Sequence, residues 1–376
     1  MTPSDELSTT TPQGVEISVA TGYEGPPEPG NSLLATMYNA GVRLAKDSKP
    51  ANAIRVFQKV VKEYPGHARS QNWLGVLLAQ TGDLDRASRH FKFAIDCEPA
   101  NMMYKNNYGA LLVVLGQRHE AVKILEEVVE KRPDYAEALE NYGLCKLQMG
   151  QLNDALRCYE KSLLRNPTSA RGWCNIIFAK DFDPNATLEE ALALRRGFNE
   201  RFQVPLPTSW PNTRDPDRQL RVGYVSGDFC MHSAAFCFGA PVMGHKGIPG
   251  REVPPVMSFA YSSTPQKPGW VDDVYNKFRA MVHNWRECVG KSDEFVTQMI
   301  RDDQIDILVD LSAYSRYTRP PTFMAKPAPI QVTAWGHAQG TGWSAIDYLF
   351  SDEWTIPQEF KKFYSETVVY LPSVIS

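Results

Sequence analysis

The chain has 376 residues, with 40 Lys and Arg against 43 Asp and Glu and a formal net charge of −3. That balance offers no basic field for nucleic acid, and no apolar run approaches the roughly 18 residues of a membrane-spanning helix. Seven cysteines, odd in number and without a Cys-x-x-Cys pair, indicate neither a disulfide framework nor a zinc site. Reduced thiols in a cytoplasmic protein are the expected state.

Residues 1–30 are rich in Ser, Thr, Pro, Gly and acid, and the first basic residue is Arg43. A secretory signal needs a positive start and an apolar stretch, and a mitochondrial leader needs arginines, so neither fits. The segment is expected to be disordered, because it cannot bury enough apolar surface to offset its ordering entropy. A docking role stays open beside plain solvation.

From 31 to 176 a 34-residue period dominates. Gly41, Gly75, Gly109 and Gly143 form one column, and Ala53, Ala87, Ala121 and Ala155 a second. Phe57, Phe91, Leu125 and Tyr159 form a third, and Pro65, Pro99, Pro133 and Pro167 a fourth. Glycine suits a close crossing of two helices, and the alanine is expected to face it. The large residue is expected to fill the groove against the next hairpin, and the proline to follow the second helix. Gly82, Gly116 and Gly150 mark the turns between paired helices. These columns resemble the tetratricopeptide repeat, which stacks helical hairpins into a right-handed superhelix with a concave inner face.

Two residues before each first-column glycine stand Asn39, Trp73, Asn107 and Asn141, and Asn175 continues the register in a degenerate fifth unit. An amide offers two donors and two lone pairs. The row is therefore a candidate ladder for gripping the backbone of an extended acceptor peptide. Capping or solvation by each amide is the plainer alternative, and Trp73 breaks the row.

Residues 177–219 open with Thr187 as a helix N-cap and Glu190 three residues on, with helix expected to Phe202. Pro205, Pro207, Pro211 and Pro216 follow, so a capping helix and then a stiff linker are expected. Asp181-x-Asp183 and Asp215-x-Asp217 have the spacing of a metal-binding pair, but they fall outside any strand end and are set aside.

From 220 to 376 strands are expected at 220–226, 253–261, 281–286, 305–311, 330–334 and 348–351, with helices at 270–280 and 292–302. This alternation predicts a Rossmann-like α/β lobe whose ligands bind at the carboxyl ends of the strands. The loops to inspect therefore follow 226, 311 and 334. The first reads Ser226-Gly227-Asp228-Phe229-Cys230-Met231-His232. The second reads Asp310-Leu311-Ser312-Ala313-Tyr314-Ser315. The third follows Ala328-Pro329-Ile330-Gln331 and reads Gly336-His337-Ala338-Gln339-Gly340-Thr341-Gly342.

In this order, behind the helical repeats, these motifs resemble the O-linked N-acetylglucosamine transferases and their SPINDLY-like relatives, over about residues 34–376. The resemblance implies a two-lobed glycosyltransferase fold. It also implies sugar transfer from a uridine-diphosphate donor, such as UDP-GlcNAc, to Ser or Thr of acceptor proteins, with no metal and no other cofactor. It places His232 at the active site as base or positioner, and Ser315, Gly336 and His337 beside the donor. It further implies glycine where this chain has Ala313 and Tyr317. After residue 220 about one domain of chain remains, roughly 150 residues, so the donor-binding second lobe is expected to be absent.

Two functions compete. One is a protein O-glycosyltransferase whose repeats hold acceptor proteins or peptides. The other is a non-catalytic peptide-binding adaptor with a relic transferase lobe. Transfer of a different sugar is a third reading. Neither nucleic acid nor membrane is an expected partner, and self-association through the repeats stays open.

Overall fold

The computed structural model describes residues 9–10, 16–17, 32–47, 49–215, 217–245, 256–264, 272–315, 317–336 and 339–372. The chain divides into two units, one ending at Gly172 and one running from Trp173. Most of the tail expected to be disordered lies outside the described residues. Within it, β1 (Thr9–Thr10) and β2 (Glu16–Ile17) pair antiparallel, Thr9 with Ile17 and Thr10 with Glu16.

The first unit is built of helical hairpins: α1 (Leu33–Lys46) with α2 (Pro50–Glu63), and α3 (Ala68–Gln80) with α4 (Leu84–Cys97). Next come α5 (Met102–Val114) with α6 (Arg118–Lys131), and α7 (Ala136–Gln148) with α8 (Leu152–Arg165). The first-column glycines are where the paired helices touch. A Cβ on Gly109 would stand 2.7 Å from Cγ and Cδ2 of Leu125, and one on Gly75 would stand 2.7 Å from the ring of Phe91. The large residue of the second helix therefore sits directly over the glycine of its own hairpin, a contact beyond the expected filling of the groove to the next hairpin. Phe57 does both, since its ring also stacks on Trp73 of the following unit at 5.9 Å and 5°. At the turns, Gly82, Gly116 and Gly150 hold φ of 88°, 72° and 76°, a left-handed conformation that glycine adopts without steric cost. The first helices α3, α5 and α7 pack in a row, and β2 lies against α3 and α5.

The second unit begins in α9 (Ala170–Lys180) and includes α10 (Leu188–Phe202), whose capping box of Thr187 and Glu190 is complete. Then follow β3 (Leu220–Ser226), α11 (Ser233–Gly244), β4 (Val256–Ser262), α12 (Asp273–Met281) and β5 (Asn284–Glu287). After these come α13 (Asp293–Asp302), β6 (Ile307–Asp310), α14 (Pro320–Met324), β7 (Ile330–Ala334), β8 (Tyr348–Ser351) and β9 (Thr367–Tyr370). Strands β3 to β9 form one parallel sheet in the order β5-β4-β3-β6-β7-β8-β9. Buried apolar residues of β3, β4, β6 and β7 share a core with Phe229, Phe238 of α11 and Phe278 of α12, each 0% exposed. Burying each such ring contributes about 2–3 kcal/mol.

The order reverses between β3 and β6: the chain runs outward from β3 through β4 to β5, then returns to the other side of β3. Such a switch point opens a crevice at the carboxyl ends of the two strands. The expected helix Thr187–Phe202 forms, but it belongs to this α/β unit.

Candidate functional site

The loops after β3 and β6 leave the switch point side by side. His232 is the N-cap of α11, where the N–H of Ala234 donates to its Nδ1 at 3.3 Å. Its side chain is half exposed, and Asp228 Oδ1 stands 3.8 Å from the same nitrogen. A neutral ring that accepts at Nδ1 carries its proton on Nε2. In this arrangement Nε2 is a donor aimed away from the helix end, suited to holding an oxygen. A switch of Nδ1 to Asp228 would instead free Nε2 to accept a proton.

The loop is fixed by groups distant in sequence. Phe229 N–H donates to Thr264 Oγ1 at 3.0 Å, and Met231 N–H to Asp272 Oδ2 at 2.9 Å. Asp272, 4% exposed, also caps α12 through Oδ1. Cys230 beside it is no activated nucleophile: burial, with Asp228 and Asp272 nearby, pushes its thiol up to about 12.

The second loop turns on Asp310 at the end of β6. Its buried carboxylate accepts from the N–H groups of Ser312 and Ala313 and from Thr333 Oγ1. Ser312 Oγ in turn meets the Gly227 N–H at 3.4 Å, joining the two loops. Ser315 N–H bonds Ser312 O at 2.8 Å, while Ser315 Oγ is shielded from solvent and has no protein partner. Ala313 and Tyr317 take φ of 47° and 63°. This is the left-handed region, which costs about 1–2 kcal/mol with a side chain. That is a physical reason for glycine at both places. The Tyr317 side chain lies over Gly227, where a Cβ would come within 2.3 Å of its own Cβ.

The third loop follows β7. Trp335 is left-handed at φ 58°, and Gly336 lies so close to the second loop that a Cβ would stand 2.1 Å from Leu311 O. Gly336 thus has a packing reason for its identity. His337 lies outside the described residues. Farther on, Glu366, 4% exposed, accepts from Thr341 N–H and Oγ1 and from Gly342 N–H. Fully buried Arg195 of α10 donates to Gly340 O at 3.2 Å and grips Asp181 with Nη2 at 2.8 and 2.9 Å. Asp181 and Asp183 are thus engaged by cations, the latter by Lys180. Among the described residues no group of three or more His, Cys, Asp and Glu is arranged to hold a metal.

Asp310, Asp272, Glu366 and Arg195 were not foreseen. Asp310 and Asp272 carried a local signal, an Asp before a turn and before a helix start. Glu366 and Arg195 carried none, since their partners lie 25 and 145 residues away.

In the repeats the amides meet one another. Asn107 Nδ2 donates to Asn72 Oδ1 at 3.1 Å, and Asn141 Nδ2 to Asn106 Oδ1 at 2.9 Å. Part of each amide's capacity thus ties adjacent first helices together, at about 1 kcal/mol per bond. Asn107 and Asn141 are buried, at 0% and 2% exposed. Asn39 and Asn175 are half-buried, and Asn175 falls in the second unit.

Residues 204–375 match the family Glycosyl transferase family 41, and residues 38–101 and 115–173 match tetratricopeptide repeats. Over 214 residues the chain is 31% identical to a probable UDP-N-acetylglucosamine–peptide N-acetylglucosaminyltransferase SPINDLY of Solanum lycopersicum. The match covers 55% of this chain and 22% of that relative. The SPINDLY protein of Arabidopsis thaliana is 30% identical over 209 residues, with the same coverage. The chain thus spans about a fifth of the length of the curated relatives it matches. A Thermobaculum terrenum O-GlcNAc transferase mutant shares the fold at a TM-score of 0.59 and 24% identity, covering 91% of this chain and 59% of that one. With tetratricopeptide repeats in front, the α/β region over 204–375 matches glycosyl transferase family 41, and the chain is similar to O-linked N-acetylglucosamine transferase-like proteins.

Proposed function

We propose that this chain serves a protein O-glycosyltransferase. A sugar passes from a uridine-diphosphate donor, N-acetylglucosamine in the first instance, to Ser or Thr of acceptor proteins that the repeat groove holds. The observation that carries this reading is the pairing of the His232 and Ser315 loops at the β3/β6 switch point of a family 41 region. His232 acts there through Nε2–H as a positioner of an oxygen of donor or acceptor, and Ser315 Oγ offers a shielded hydroxyl to the sugar. The reaction uses no metal in this reading. No helix among the described residues is long and apolar enough to cross a membrane. The seven unpaired cysteines suit a reducing, cytoplasmic setting.

The test is transfer of radiolabelled sugar from UDP-GlcNAc to a Ser/Thr peptide library, with calorimetric titration of the donor beside it. Where transfer is measured, His232→Gln, which keeps a donor, should retain at least tenfold more activity than His232→Ala. Equal loss in both would refute the positioning role. Peptide binding without transfer or donor binding would restore the adaptor reading.

A further inference from the structure

Two large apolar side chains stand in solvent on either side of His232. Met231 is 61% exposed and Phe236 71%. His232 is the N-cap of α11, so they hold the position before the cap and the fourth position of the helix. That is the spacing of a hydrophobic staple, which packs its two members against each other. These two stay open to solvent, so helix capping alone does not account for them. Their backbone is nonetheless fixed. Met231 N–H donates to Asp272 Oδ2 at 2.9 Å, and Phe236 follows Ala235 and precedes Phe238, both buried in the sheet core.

From Phe229 to Gly244 the chain carries no Asp, Glu, Lys or Arg. A ligand resting on this segment meets apolar surface beside a hydrogen-bonding imidazole, and the segment gives it no ionic anchor. The size of the surface says what fits. Even fully covered, two such side chains bury roughly 300 Å², far below the roughly 800 Å² per partner of a stable protein interface. A patch of this size matches one large apolar side chain of a bound peptide. The spacing agrees. Phe236 lies about one helical turn, roughly 5–6 Å, beyond His232. Alternate residues on one side of an extended peptide are about 6.6 Å apart.

We propose that Met231 and Phe236 are specificity-determining residues. Together they hold an apolar side chain two positions from the Ser or Thr that His232 positions, and so select acceptor peptides that carry one there. The inference rests on the transferase reading for the place of the acceptor hydroxyl, but its test reads peptide binding without donor. Selective binding without transfer would count against transfer and not against the apolar subsite. Transfer without selectivity would do the reverse.

Fluorescein-labelled nonapeptides with a central Ser are titrated into the full chain and followed by anisotropy. They carry either Leu or Glu at both positions two residues from that Ser, and Ala elsewhere. The Leu peptide is expected to bind at least tenfold more tightly than the Glu peptide. In Met231→Ser/Phe236→Ser that ratio is expected to fall below threefold. In Met231→Leu/Phe236→Leu, which keeps the apolar surface, it is expected to stay within threefold of the parent. Equal affinities in the parent, no binding of either peptide, or a ratio that the serine variant leaves unchanged overturns the proposal. With p-benzoylphenylalanine in place of one Leu, irradiation is expected to give adducts on residues 229–240. Adducts confined to residues 31–176 would place the preference in the repeats and overturn it. A parent chain that sediments as a dimer while the serine variant is monomeric would make the pair an interface between copies, and overturns it likewise.

Discussion

Arg195→Met probes how the glycine-rich loop after β7 is held. Arg195 is fully buried, the Asp181 side chain is 9% exposed, and the two carboxylate contacts measure 2.8 and 2.9 Å. The same guanidinium donates to Gly340 O and, at 3.0 Å, to Ala191 O. Methionine keeps much of the stem volume and removes the charge with every donor. Breaking a buried pair from one side costs about 3–5 kcal/mol, because the remaining charge keeps its desolvation and loses its counter-ion. For a unit of about 200 residues this lowers the melting temperature by roughly 6–20 °C. Thermal and guanidinium unfolding followed by circular dichroism would measure it. The double variant Arg195→Met/Asp181→Leu replaces the pair with apolar groups and should lose much less than the sum of the two single changes. A loss below about 1 kcal/mol for Arg195→Met, or a double variant that costs the full sum, would refute this account of the loop.

Three further outcomes are expected. Gly109→Ala pushes a Cβ to 2.7 Å from Leu125. The overpacking costs about 1–3 kcal/mol, of which alanine's helix preference returns up to about 1 kcal/mol. A lower urea midpoint at unchanged slope is expected, and a gain in stability would refute the close-crossing argument. For Asp306, burial is the largest influence and raises its pKa, but the Arg218 guanidinium, the Arg221 N–H and the Asn212 amide together hold the carboxyl below the usual range. With the folded pKa below the unfolded one, its stabilisation is present above about pH 4 and is lost as pH falls through the folded value. Asp306→Asn should therefore cost about 1–3 kcal/mol near pH 7, with the gap to the parent closing toward pH 3. A gap that is constant with pH would refute the linkage. Burial also pushes the Cys230 and Cys288 thiols up to about 12. Iodoacetamide near pH 8 should thus modify exposed Cys97 at least tenfold faster than either. Faster labelling of Cys230, read by peptide mass spectrometry, would show an active thiol at the site.

Much of the architecture was legible because its causes are local or repeat. Each 34-residue unit restates the same glycine, turn and proline, so the period appears without any long-range contact. Strands β3, β7 and β8 begin and end where their apolar runs do. β9 (Thr367–Tyr370) was legible only as an apolar stretch, because a four-residue edge strand is defined by its neighbour β8. The loops that carry His232 and Ser315 could be singled out by position, since carboxyl ends of parallel strands carry ligands whatever the sheet order, while the two residues themselves were marked by the resemblance of their motifs. That their two loops adjoin at the switch point is a property of the strand order.

The chain's own pattern determined the helical hairpins, the α/β lobe and the loops that matter, since periodicity and turn chemistry act over a few residues. Only the tertiary structure decided that α10 belongs with the α/β unit, through an arginine whose partner is 145 residues away. It decided that the large residue lies directly over each first-column glycine of its own hairpin, because which facing side chain comes nearest at a crossing depends on helix rotation. It also decided that the asparagines bond one another across 35 residues. An amide row looks the same in sequence whether its neighbours satisfy it or a ligand does, and only packing distinguishes the spent Nδ2 of Asn107 from its unspent Oδ1.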